Sequence, residues 1–270
     1  NGSGYLKLTA LPSTITQETT NLGIIGMGSD PNKTNLLAKY TGDLNNLGIP
    51  GLSAFTAVLP NYGLNNTVSA FNNYYERLLG TADATSSYAE FLTTKANGAT
   101  FFTYWLGNND ALGYAVAGGN APAFITSTTD FSNNTKALLD KMGTAKGAII
   151  NIGDVTTAAY FKTVTFASLK AALAAAGLPS TTDIYIATGA GPRAATAEDL
   201  FLLGSQAQYA SIGDTTKGGN PSGTQPYGLH PLNPFETQHV LDKGEVALVR
   251  TAITNFNTTL QAEATARGLA

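Results

Sequence analysis

The stretch ATFFTYWLGNNDALGYAVAGG (residues 99–119) constrains the fold most, because an apolar aromatic run ends abruptly in Gly107-Asn108-Asn109-Asp110. Residues 101–106 read as a buried strand, since aromatic and apolar side chains dominate them and a glycine closes the run. Residues 131–142 read as a helix burying Leu138, Leu139 and Met142, and they feed an apolar strand over 148–152. Helix alternating with apolar strand is the pattern of a parallel α/β sheet. Open sheets of that class keep their chemistry at the C-terminal ends of the strands. The amide and carboxylate side chains that follow residues 101–106 are therefore candidate site residues.

The remaining chain supplies further elements of the same kind. Residues 1–43 mix short apolar pieces with Gly, Pro, Asn and Thr and read as a long loop carrying a strand or two. A short strand before Gly48 is expected to end in a tight turn at Pro50-Gly51. Residues 68–79, with Phe71, Tyr75, Leu78 and Leu79 on one face, and residues 86–95, with Tyr88, Phe91 and Leu92, have helical spacing. FASLKAALAAAG is a helix stopped by Gly177, DIYIAT is a strand, and residues 213–234 form a surface loop. Asp242 with Glu245 three residues on is a capping box that starts a long final helix, with Val246, Val249, Ile253, Phe256 and Leu260 on one stripe.

Composition narrows the function classes. A chain of 270 residues with 43% hydrophobic content can bury a sizeable core. Only 12% of residues are charged, the net charge is −3 and no Lys/Arg block occurs, so nucleic acid is not an expected partner. The chain has no cysteine, which excludes disulfides, thiolate metal sites and a cysteine nucleophile. No apolar run approaches a membrane span. The chain starts at Asn1 without a methionine and is expected to be a processed or partial polypeptide, with any export signal or lipid anchor upstream.

GNND at 107–110, between TFFTYWL and ALGYAVAGG, resembles block III of the SGNH (GDSL) hydrolases, and NLGIPG at 46–51 resembles their block II. IINIGDVTTAAYF and NPFETQHVLDKGEVALVRTAITNFNTTL are similar to segments of the Bacteroidetes branch of that family, so the resemblance runs from about Tyr40 onward. It implies a doubly wound, flavodoxin-like three-layer sandwich with a parallel sheet and long loop insertions. It also implies a single domain over residues 1–270 without its N-terminal strand and its C-terminal strand and helix. The activity implied is serine-dependent hydrolysis of carboxylic esters or carbohydrate acetyl esters, with no cofactor and no metal. Hydrolysis of this kind needs preorganised donors aimed at a tetrahedral oxyanion. Carried over from the family, those donors are the Gly51 N–H and the Asn109 side-chain amide, while Asp110 fixes the loop. Asn-Asp pairs and glycines also make ordinary turns, and the pairing of the two blocks favours the oxyanion reading.

The departures from the family are equally specific. Gly-Asp-Ser-Leu of block I and Asp-x-x-His of block V do not occur, and Gly153 stands where the related branch commonly has proline. Two substitutes lie within the chain. Gly28-Ser29-Asp30 follows an apolar run, making Ser29 a candidate nucleophile if residues 22–27 occupy the first-strand position; Tyr227-Gly228-Leu229-His230-Pro231 makes His230 a candidate base, with Tyr227 in the aspartate position. Glu236-x-x-His239 is a weaker pair still, as a metal or catalytic site. The preferred expectation is an additional polypeptide segment that completes the sheet between the strands leading to Gly51 and Gly107. A small ester or acylated glycan is the expected substrate. Low charge, Asn/Thr-rich loops and the branch resemblance point to an extracellular location or the outer membrane surface of a Gram-negative bacterium. The competing class is a surface binding or structural protein on the same scaffold, because fold does not imply function.

Overall fold

Short polar residues ahead of apolar runs decide where the helices start. In the computed structural model, which describes residues 5–8, 22–25, 39–40, 42, 44–64, 71–80, 83–219 and 223–270, Ser53 caps α1 (Ala54–Ala57) and Asn72 caps α2 (Asn73–Glu76). Ser87 caps α3 (Tyr88–Lys95), where Glu90 closes a capping box by accepting from Ser87 N–H at 2.7 Å. The sequence suggests a helix from 68; the helix here is confined to α2 because Asn72 accepts from the N–H groups of Tyr74 and Tyr75, and residues 68–70 lie outside the described set. Later helices are α4 (Asn109–Val116), α5 (Thr128–Asp140), α6 (Phe166–Ala175), α7 (Gln206–Tyr209) and α8 (Lys243–Arg267).

The described strands pair two by two. Strand β1 (Tyr5–Leu8) pairs antiparallel with β2 (Leu22–Ile25), β5 (Tyr185–Ile186) with β6 (Arg193–Ala194), and β7 (Leu200–Phe201) with β8 (Val240–Leu241). Strand β3 (Phe101–Tyr104) runs parallel to β4 (Lys146–Ile149), with Phe101 opposite Lys146 and Tyr104 opposite Ile149. The chain is thus mixed helix and strand with a small parallel sheet. Along the other edge of β4, Ala270 donates to Gly147 O at 3.0 Å and accepts from Ile149 N at 2.8 Å, the alternation of a parallel bridge.

The chain folds into two compact units, residues 1–109, 129–150 and 260–270 in one and 110–128 and 151–259 in the other. The first is centred on Tyr75, fully buried, against which the rings of Tyr62, Tyr88 and Phe91 pack at 6.2, 5.8 and 5.7 Å. Ile49, Leu52, Leu79, Leu92 and Leu138 complete that core. The second unit is centred on Phe235, met edge-on by Phe201, Tyr209 and Tyr227 at 6.4, 5.3 and 5.0 Å, with Ile184, Ile186 and Val240 around them. The stripe expected on the last helix is buried at every position, Val246, Val249, Ile253, Phe256 and Leu260 each keeping 5% or less of their surface.

Three sequence expectations need correction. Residues 44–50 are loop rather than strand, since they have no ladder partner among the described residues. Strand β3 is half-buried on one face and open on the other: Tyr104 and Leu106 pack on the core, whereas Phe101 and Trp105 are each 63% exposed. The loop over 213–234 is not wholly surface, because Tyr227 and Asn233 are buried, and the Asn233 amide donates to Lys217 O and Gln225 O at 2.9 Å each.

Candidate functional site

Pro50 and Gly51 occupy the middle of a tight turn in which Leu52 N–H donates to Ile49 O at 3.1 Å. Proline followed by a residue at positive φ is the signature of a type II turn, and Gly51 has φ +78°. A Cβ on Gly51 would have room, its nearest neighbour being Asn72 Nδ2 at 3.6 Å, so it is the backbone conformation that requires glycine here. Asn72 holds the turn from below. Its amide donates to Pro50 O at 2.9 Å and to Tyr62 Oη at 3.1 Å, while its carbonyl oxygen caps α2. Tyr62 Oη in turn donates to Gly51 O at 3.4 Å. The N–H of Gly51 makes no hydrogen bond among the described residues.

The polar cluster after β3 reaches the same turn. Asn109 is the first residue of α4, and its Nδ2 donates to Leu52 O at 2.8 Å, linking positions 57 residues apart. Only one of its two amide hydrogens can serve that bond. Asp110 points elsewhere: it is 1% exposed, its Oδ1 accepts from Thr126 Oγ1 at 2.7 Å, and its carbonyl accepts from Thr126 N at 2.9 Å. The pair therefore splits between a half-exposed amide at the turn and a buried carboxylate that ties down the following loop.

Ser29 lies outside the described residues, and so does Met27. The strand ahead of them, Leu22–Ile25, pairs with Tyr5–Leu8 rather than beside β3, whose one strand partner among the described residues is β4. His230 sits in a turn of its own, with Nδ1 accepting from Leu232 N at 3.1 Å and its carbonyl accepting from Asn233 N at 2.9 Å. The Tyr227 phenol donates to Glu236 Oε2.

One grouping in the second unit is assembled only by the fold. Ser205 Oγ lies 2.9 Å from His239 Nδ1, and His239 Nε2 lies 3.5 Å from Glu236 Oε2. Burial pulls the His239 imidazole below the ordinary histidine value, against the opposite pull of Glu236, which leaves it neutral at pH 7. The Glu236-x-x-His239 spacing is visible in the sequence, but nothing there singles out a serine 34 residues upstream. At the start of α8, Glu245 is pushed up to about 7, chiefly by burial and then by the Asp242 and Asp199 charges. Among the described residues no group of three His, Asp or Glu side chains is placed to hold a metal ion, and no helix is long and apolar enough to cross a membrane. Compared with protein-family models, curated proteins and solved structures, the chain matches none.

Proposed function

We propose that this chain is the scaffold of a serine-dependent ester hydrolase of SGNH type, acting on carboxylic esters or on acetyl esters of carbohydrates. The observation that carries the reading is the 2.8 Å bond from Asn109 Nδ2 to Leu52 O, which joins the polar end of β3 to the Pro50-Gly51 turn. In this reading the Gly51 N–H and the second amide hydrogen of Asn109 receive the oxyanion as the ester carbonyl becomes tetrahedral. Both donors are neutral and fixed in advance, so they stabilise charge that exists only in the transition state. Gly51 is held by the Asn72–Tyr62 pair and Asn109 by Leu52 O.

The parallel β3–β4 pair belongs, in this proposal, to a doubly wound sheet that a further polypeptide segment completes beside β3, bringing the serine and histidine of blocks I and V. The chemistry calls for no cofactor, and the proposed location is the outer surface of a Gram-negative cell or its medium. The test is hydrolysis of p-nitrophenyl acetate by the natural polypeptide carrying Ser205→Ala, so that the rate reports on Asn109 and not on the serine beside His239. Asn109→Ala and Asn109→Asp are expected to lower kcat about 100-fold or more with little change in KM, as loss of one oxyanion donor does. Unchanged hydrolysis in both variants overturns the oxyanion assignment. A natural polypeptide with no hydrolysis at all is instead a surface binding protein on the same scaffold.

A further inference from the structure

We propose that Ser205 is the nucleophile of a separate acyl-transfer site in the second unit, with His239 as its general base and Glu236 as the carboxylate that orients the imidazole. The site uses neither Asn109 nor the turn at Gly51, and it does not rest on the function proposed above.

The backbone brings the two residues together. Strand β7 leads through Leu202 into a 3-10 turn, Leu203–Ser205, and then directly into α7. Strand β8 lies antiparallel beside β7, with Leu200 opposite Leu241 and Phe201 opposite Val240, and the ladder continues one step as Leu202 N–H donates to His239 O at 3.1 Å. Ser205 N–H closes the turn onto Leu202 O at 2.9 Å. The serine and the imidazole are thus placed by a strand pair and a closed turn, and Tyr209 Oη also donates to His239 O.

In this proposal the imidazole proton sits on Nε2. Glu236 Oε2 stands 3.5 Å from Nε2 and favours the proton on that nitrogen, and with the proton there Nδ1 keeps its lone pair. Ser205 Oγ lies 2.9 Å from Nδ1 and is placed to donate to that lone pair, with Tyr209 Oη a second acceptor beside the same hydroxyl. Tyr227 Oη donates to the same Glu236 oxygen that faces the ring, which fixes the carboxylate. Nucleophile, base and orienting acid follow one another within reach, which is the arrangement that activates a serine.

In the acylation step, Ser205 Oγ forms a bond to the ester carbonyl carbon as its proton passes to His239 Nδ1. Collapse of the tetrahedral species breaks the bond to the alcohol oxygen, which takes that proton. Water then attacks the acyl-serine, gives a proton to Nδ1, and the proton returns to Ser205 Oγ as the carboxylic acid leaves. Ser205 keeps 6% of its surface and the His239 side chain 15%, and the substrate class proposed for so enclosed a serine is a small acyl ester.

The test is labelling of the intact chain with a short-chain alkyl fluorophosphonate, with the adduct located by peptide mass spectrometry. One adduct is expected, on Ser205, absent from Ser205→Ala and formed about 100-fold more slowly in His239→Gln. In the wild-type chain the labelling rate should rise with a single ionisation below the usual histidine value and then stay level. A purely structural serine would not produce that profile, and Glu236→Gln should displace the ionisation. A folded wild-type chain with no adduct on Ser205, or one whose labelling climbs with hydroxide and no plateau, overturns the proposal. An adduct elsewhere together with Asn109-dependent hydrolysis sinks this site and leaves the proposed function standing. An adduct on Ser205 with hydrolysis indifferent to Asn109 does the reverse.

Discussion

Gly118 shows how a single side chain is ruled out by its surroundings. It has φ +61°, and a Cβ there would stand 2.3 Å from Thr237 O and 2.9 Å from the Gln238 carbonyl carbon, both of them backbone atoms that cannot swing away. Gly177 has φ +85° at the end of α6, yet nothing would lie within 4 Å of its Cβ. The two positions separate conformational strain from collision. Gly177→Ala is expected to cost about 1 kcal/mol, the left-handed penalty alone. Gly118→Ala is expected to cost about 2–4 kcal/mol, because strain and a backbone clash act together. Urea midpoints for the two variants, at unchanged slope, measure the difference; equal midpoints would mean that the Thr237 backbone yields without cost.

Among the elements, β3 has the least usual environment. Strands of a parallel sheet are ordinarily covered on both faces, yet Phe101 and Trp105 are each 63% exposed and Ile150, just past β4, is 42% exposed. Trp105 is the one tryptophan of the sequence, so its fluorescence reports on this face alone. The chain by itself is expected to show red-shifted emission that acrylamide quenches readily. If the proposed sheet-completing segment also covers this face, emission shifts to the blue and quenching falls when it is bound. Identical spectra with and without that segment would remove it from the face of β3.

Over the whole molecule, a chain with 12% charged residues concentrates its pH response in a few carboxylates. Burial pushes Asp199 up, but the Arg193 side chain and the N–H groups of Thr196 and Lys243 together hold it below the usual range. Asp154 is likewise held low against burial by Thr156 and Arg250. Both contribute stability that is present above the unfolded value of 3.8 and is lost as pH falls through their folded values. Glu245 runs the other way. Its contribution is complete below the unfolded value of 4.5 and disappears as pH rises through about 7. The Glu245 contribution is therefore expected to decline between about pH 5 and pH 7.5, against the opposite slope of His239, whose lowered value favours the folded state as pH rises toward 6.5. In Glu245→Gln the decline should flatten, which urea midpoints at the two pH values can check; an unaltered decline would assign it to other groups.

Features that depend on near neighbours are legible in the order of the residues. The Asp242–Glu245 capping box and the buried stripe of α8, the Ser87–Glu90 box of α3, the turn at Pro50-Gly51 and the helix-then-strand order leading to β4 are all of this kind. Each rests on hydrogen bonds or side-chain periodicity within a few residues. Long-range packing, by contrast, settles that residues 44–50 are no strand, that one face of β3 is bare, and that Asn109 reaches Leu52 O. It also settles that β7 and β8, two residues each, pair in the register that sets His239 beside Ser205. Strands that short carry no period to read. Their pairing is fixed by the packing of Phe201, Val240 and Phe235 into one core, and contacts of that range leave no mark on the residues between.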